Sequence, residues 1–270
     1  MDAADAVVLA ATATKVGPEA AGRVLVSGSH GGAYVAYLVA AAGARAAILN
    51  DAGVGRDDAG IACLGRCAAI GMAAATVAHD SARIGDAEDS IRRGVISHAN
   101  DLARSLGCVP GTPCREAAGQ LSRAPLPSER MPAHEETRHL VGETADGRRI
   151  VCLDSASLVR PGDAGGIVVT GSHGALVGGR TENALRVDAL AALFNDAGIG
   201  AAGVGRLPAL DERGIAAAAV ACDSARIGDG RSTYIDGVLS RVNRTAEAAG
   251  ARPGMAARRF VGLLGGASDA

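Results

Sequence analysis

Val24-Leu25-Val26-Ser27-Gly28-Ser29-His30-Gly31-Gly32 is an apolar run that breaks into a glycine-rich turn, and it returns as Ile167-Val168-Val169-Thr170-Gly171-Ser172-His173-Gly174-Ala175. A short apolar run bounded by glycine is the pattern of a buried strand. Glycines at its end allow close backbone approach, and the first N–H groups of a helix that follows lack intrahelical partners, so an anion or carbonyl oxygen fits there. The stretch predicts a strand, a ligand-holding turn and a helix, twice over.

Working outward, Asp80-Ser81-Ala82-Arg83-Ile84-Gly85-Asp86 recurs unchanged 143 positions on as Asp223-Ser224-Ala225-Arg226-Ile227-Gly228-Asp229. The same offset relates Val7-Val8 to Ile150-Val151, His30 to His173 and Asn100 to Asn243, whereas Asn50-Asp51-Ala52-Gly53 matches Asn195-Asp196-Ala197-Gly198 at 145. Gaps of two residues that open and close again belong in loops. The expected fold class is α/β, internally duplicated: two homologous halves with mostly parallel strands and flanking helices, about three or four strands each, related by a pseudo-two-fold. The first repeat is set at 1–118, a linker at 119–148 and the second repeat at 149–270.

Composition narrows the function. The chain of 270 residues is 48% hydrophobic but only 2% aromatic, without Trp, so its core must be Ala, Val, Leu and Ile packed around Gly. Base-stacking platforms and long basic runs are missing and the net charge is −2, which argues against a nucleic-acid partner. No stretch reaches the roughly 18 uninterrupted apolar residues of a membrane span, and Asp2 and Asp5 stand where a signal peptide carries positive charge. Six scattered cysteines read as reduced thiols, and the expected location is cytoplasmic. Of the 27 basic residues only Lys15 is lysine, in neither a P-loop nor a Schiff-base context. The glycines lack dinucleotide spacing, and no short-spaced ligand motif points to a metal, so no cofactor is expected.

Along the chain, 6–11 reads as a strand running into the hydroxyl-bearing Thr12-Ala13-Thr14, and Ile150–Leu153 as one running into Asp154-Ser155-Ala156-Ser157. Ala145-Asp146-Gly147 reads as a hairpin turn. A helix is expected over Ala33–Ala42 with Gly43 as its stop, strands over Ala46–Leu49 and Ala73–Ala78, and a helix over Ala59–Ile70. A longer helix, begun by Asp86 or Asp89, is expected across Ile91–Leu106, and the same order in the second half.

The repeated polar motifs all fall at predicted strand ends, where parallel sheets gather ligands. Ser29 and Ser172 occupy the nucleophile's place on a strand-to-helix elbow, with His30 and His173 beside them; the plain alternative is a helix cap and a packing histidine. Gly28, Gly31, Gly32, Gly171 and Gly174 shape the turns. Asn50, Asp51, Asn195 and Asp196 either close Asx turns or touch substrate. In the heptads, Asp80 and Asp223 are catalytic candidates. Arg83 and Arg226, with Ser81 and Ser224, either clamp a substrate carboxylate or brace the loop. His79 is matched by Cys222, a difference that suits two distinct acid–base groups. The expectation is an enzyme for a small polar molecule carrying a carboxylate or amide, a hydrolase of amide or C–N bonds, with one composite site at the strand ends between the halves. An isomerase or racemase using paired groups, or a non-catalytic ligand-binding or assembly protein, are the alternatives, and a homo-oligomer is the default assembly.

Overall fold

The computed structural model describes residues 6–265. Asp2 and Asp5, read above against a signal peptide, lie outside that range. Two compact units emerge, one gathering most of the chain up to Glu135 and the other most of it from Glu136 on. Among the described residues the strands form two mostly parallel mixed sheets, of five and six strands, flanked by helices: an α/β fold.

In the first unit β1 (Val7–Ala10), β2 (Val24–His30), β3 (Ala46–Asn50) and β4 (Ala73–Val77) pair in parallel and in sequential order. Strands alternate their side chains between faces, and both faces are apolar here. Leu25, Ala47, Leu49 and Ala74 meet Val35, Ala36 and Val39 of α1 (Ala33–Ala41) and Cys63 and Cys67 of α2 (Cys63–Ala68). The crossovers that carry α1 and α2 lie on one face, as successive crossovers of one hand require. Val24, Val26, Ile48, Ala75 and Val77 line the other face.

The long helix expected over Ile91–Leu106 is not formed. α3 (Ala87–Arg93), capped by Asp86, stops at Gly94; β5 (Ile96–Ala99) pairs antiparallel with β4; and α4 (Asp101–Ser105) follows, capped by Asn100. A Cβ on Gly94 would fall 2.5 Å from the Ser90 carbonyl oxygen, so Gly94 is where the chain turns back tightly enough to start a strand. The helix expected over Ala59–Ile70 is shorter too, with a 3-10 stretch over Arg56–Ile61 before α2. α5 (Cys114–Leu121) completes the second face with Cys114, Ala117, Ala118 and Leu121. Within 119–148 lie the last turn of α5 and β6 (Arg138–Glu143), while 122–137 holds no regular element.

In the second unit the hairpin at 145–147 joins β6 to β7 (Arg149–Leu153), which continues in parallel into β8 (Ile167–His173), β9 (Ala191–Asn195) and β10 (Ala216–Val220). α6 (Arg206–Asp211) and α7 (Gly230–Ile235) precede β11 (Leu239–Val242), which is antiparallel to β10; α8 (Arg244–Ala248) and α9 (Ala257–Leu264) close the chain. The two phenylalanines, Phe194 and Phe260, are fully buried, one on each face of this sheet.

The expected common element order fails after β8, where two 3-10 turns, Val177–Gly179 and Thr181–Asn183, replace a helix like α1. Gly178 and Gly179 have φ of +62° and +69°, a left-handed pair that no α-helix contains. The irregular stretch is held instead by buried Arg206, whose guanidinium donates to the carbonyls of Ala175 (3.2 Å), Asn183 (2.9 Å) and Ala184 and lies over the Phe194 ring. Burial lowers the Arg206 pKa to about 10.

Candidate functional site

The C-terminal ends of β2, β3 and β4 bring the turn, Asn50-Asp51 and His79 to one edge of the first sheet, because these strands are neighbours in register. The glycines serve packing there. A Cβ on Gly28 would sit 2.4 Å from the Asp86 nitrogen, and one on Gly31 would sit 2.5 Å from the Gly60 oxygen. Gly171 and Gly174 are enclosed in the same way by Asp229 and Gly203. The Gly31 N–H donates to the Asn50 carbonyl, and the Gly174 N–H to that of Asn195, so both are already committed to the sheet.

Asp51 carries the clearest chemistry. Its side chain is 4% exposed, and Oδ1 accepts from the Gly53 N–H (2.9 Å), from the His79 N–H (2.9 Å) and from His79 Nδ1 (3.1 Å). Burial pushes the carboxyl pKa up, but the His79 ring, the Gly53 N–H, the Ser97 hydroxyl and the His79 N–H together hold it below the usual carboxylate value. Facing the Asp51 carboxylate, Nδ1 is the nitrogen that carries the proton when the His79 ring is neutral, which leaves Nε2 as the one that can exchange a proton. The ring is 35% exposed. In the second unit Asp196 Oδ1 accepts from the Cys222 N–H at 2.9 Å. Burial, then the charges of Asp196 and Asp223, push the Cys222 thiol up, so it stays protonated at neutral pH.

His30 and His173 pair across the ladder with Asn50 and Asn195, each after a bulge. His30 Nδ1 accepts from the Gly32 N–H at 3.1 Å, and burial lowers its pKa to about 4, so the ring is neutral. Ala175 stands where the first turn has Gly32. A Cβ at 32 would fall 2.6 Å from the His30 ring, so His173 cannot occupy the seat that His30 takes. The Asn50 and Asn195 side chains cap their own turns, accepting from Ala52 (2.9 Å) and Ala197 (3.0 Å).

The heptads act as braces. Ser81 Oγ donates to the Ala78 carbonyl and accepts from the Val95 N–H, and Ser224 does the same with Ala221 and Val238. Arg83 gives its N–H and guanidinium to Asp89, which is 1% exposed and also binds Arg92 and Arg93. Burial works against the Asp89 carboxylate, yet these donors hold its pKa well below the usual range. Arg226 pairs with Asp229 at 3.2 Å, and Asp80 and Asp223 are exposed. These contacts favour the bracing alternative for Arg83.

Ser29 and Ser172 belong to a grouping that the sequence only hinted at. Ser29 Oγ accepts from the Ala13 N–H (2.9 Å) and lies 3.5 Å from Thr12 Oγ1, which is 2.9 Å from Thr14 Oγ1. In the second unit Ser172 Oγ accepts from the Ala156 N–H (2.9 Å), and Ser155 and Ser157 hydroxyls are 2.9 Å apart. There the Ser155 and Ser157 hydroxyls favour the charged form of the Glu136 carboxyl. Burial and then the charge of Asp154 raise the Glu136 pKa to about 7. Asp154 itself accepts from the N–H (2.6 Å) and hydroxyl (2.7 Å) of Thr137, which ties the segment carrying Glu136 in place.

Among the described residues no cluster of three or more His, Cys, Asp or Glu could hold a metal ion, and no helix is long and apolar enough to cross a membrane. All six cysteines are free thiols, five of them buried. Comparison with protein families, curated proteins and solved structures gives no match.

Proposed function

We propose that the chain is an enzyme acting on a small polar molecule that carries a carboxylate or amide, and that it hydrolyses an amide or other C–N bond. The observation that supports this most is the Asp51–His79 pair at the ends of the parallel strands: a buried carboxylate accepts the Nδ1 proton of a partly exposed imidazole. In this reading His79 Nε2 takes a proton from water as it adds to the substrate carbonyl, then returns it to the departing nitrogen, while Asp51 stabilises the imidazolium formed in between. Asp51 is a positioning residue. Cys222 has the wrong environment for a thiolate base, which weighs against a racemase with paired His79 and Cys222. The proposal includes an origin of the two units by duplication, supported by the identical heptads and by the same bracing bonds of Ser81 and Ser224. It also includes a cytoplasmic location, in keeping with six free thiols, and assembly as a homo-oligomer.

The test is a panel of small amides and amino-acid amides assayed for amine or ammonia release. With a substrate in hand, His79→Ala should lower kcat by about 100-fold or more, the usual contribution of a proton-transfer group. Asp51→Asn should lower kcat and shift the pH–rate profile. Ligands that raise the unfolding temperature with no turnover, or full activity in His79→Ala, would reject the enzymatic reading.

A further inference from the structure

β6 ends the second sheet: among the described residues it pairs with β7 and with no other strand. The opposite end of that sheet is closed, since the Leu239 N–H of β11 donates to the Met255 carbonyl (2.8 Å) and the Gly254 N–H to the Leu239 carbonyl (2.7 Å). Two bonds show which way the β6 backbone faces. The Thr137 carbonyl accepts from the Asp154 N–H (3.1 Å), and the Thr144 N–H donates to the Arg148 carbonyl (2.8 Å). Residues of an antiparallel strand alternate between facing the partner and facing away. With the register of this pair, Arg138, Leu140 and Glu143 therefore turn their N–H and carbonyl groups outward. An open row of such groups is a template for another strand.

The bulge at Val141 decides which strand fits. Without it Arg138 and Glu143, an odd number of residues apart, would fall on opposite faces. With it they stand opposite Leu153 and Arg149 of β7, and Leu140 stands opposite Val151, all on one face. They flank Leu140 at equal steps. A second β6 running antiparallel, with the two-fold at Leu140, then sets Arg138 of each copy against Glu143 of the other and Leu140 against itself. Arg138 is held on that face by the buried carboxylate of Asp163, at 2.9 and 2.5 Å, and its guanidinium has donors beyond those two bonds. Glu143 is exposed. Leu140, 59% exposed, is the most exposed large hydrophobic residue among those described. On the other face Val141 and Ile235 of α7, also exposed, line one cavity of about 370 Å³ along the same edge.

From this self-complementarity we infer that β6 is the interface with a second copy of the chain, an antiparallel β6–β6 pairing that joins two six-stranded sheets into one. The inference deepens the homo-oligomeric reading above, on which it rests. Opposite charges meet at both ends of the pairing and apolar side chains meet at its centre, and each outward-facing pair of residues exchanges both of its N–H···O bonds.

The test is sedimentation equilibrium of the full chain over a concentration series, which should give a dimer. Glu143→Arg sets like charges opposite each other at both ends and should weaken self-association roughly tenfold; added salt, which screens that repulsion, should restore part of the loss. Circular dichroism and the urea midpoint check that this exposed variant is folded. Leu140→Cys gives the positive readout: directly opposed residues of such a pair have Cα atoms about 5.5 Å apart, within reach of a disulfide. A mild oxidant should link its two copies and leave the natural chain, with its half-buried Cys222, unlinked. An oligomer that Glu143→Arg does not weaken and Leu140→Cys does not cross-link rejects this interface and keeps the assembly. A monomer at every concentration rejects both.

Discussion

Replacing Glu136 by Gln should remove a pH dependence from the stability of the second unit. The folded-state pKa of Glu136 is about 7 against an ordinary value of 4.5, because the group is buried and lies beside Asp154. A raised carboxyl pKa means that the folded chain holds the proton more tightly than the unfolded chain. The stabilisation is therefore complete below pH 4.5 and is lost as the pH rises through 7. The gap corresponds to about 3 kcal/mol at 1.36 kcal/mol per pH unit, an upper value since the residue keeps some exposure. Gln offers the Ser155 and Ser157 hydroxyls similar partners without ionising. Urea unfolding at pH 4, 6 and 8 should give similar stabilities at pH 4 and an advantage for Glu136→Gln of about 2–3 kcal/mol at pH 8. Parallel pH profiles for the two proteins would refute the assigned environment of Glu136.

Three further substitutions probe the frame around the site. Asn100 caps α4 and its amide reaches the Ala74 N–H and the Met72 carbonyl, so Asn100→Ala should cost about 2–3 kcal/mol in urea unfolding by leaving buried groups unpaired; a loss below 0.5 kcal/mol would show those groups re-paired with water. Gly28→Ala puts a Cβ against the Gly85–Asp86 peptide and the Ala11 carbonyl and should destabilise by about 3 kcal/mol, with refolding yield as a second readout. Asp89→Asn should lower stability by about 2 kcal/mol, discounted for the solvent exposure of its arginine partners. Because the Asp89 pKa is depressed, that difference should be fully present above the ordinary value of 3.8 and be lost progressively as the pH falls from there through the depressed folded-state value.

Strands with unbroken apolar runs were legible in the sequence because both faces of the parallel ladders are buried, as Val24-Leu25-Val26 and Ala46-Ala47-Ile48-Leu49 show. β5 was not. Ile96-Ser97-His98-Ala99 is short, half polar, and sits inside a stretch whose spacing also fits a helix, so only pairing with β4 makes it a strand. The missing helix after β8 was signalled by Gly178-Gly179, but the brace from Arg206 was not, since it acts across 22 to 31 residues. Asp51 and His79 were each singled out for their own surroundings. Their partnership depends on Asn50 standing opposite Val77, which places the residues just past both strands together. Thr12 and Thr14 read only as hydroxyls in a loop, and Glu136 lay in a stretch read as linker. Their chemistry arises when strands adjacent in the sheet align their ends.

The fourth parallel strand of each sheet is written largely in alanine: Ala73-Ala74-Ala75 in β4 and Ala216-Ala217-Ala218-Ala219 in β10. Alanine is the best helix former and a poor strand former. Nothing local selects the extended state there, so these segments become strands only when β3 and β5, or β9 and β11, offer hydrogen bonds on both sides. A peptide cut from 214–222 would lack that template and show no strand of its own. The alanine strands, with the short antiparallel strands beside them, are therefore expected to join after β2–β3 and β8–β9, and φ-values as high in β4 and β10 as in β3 and β9 would refute that order.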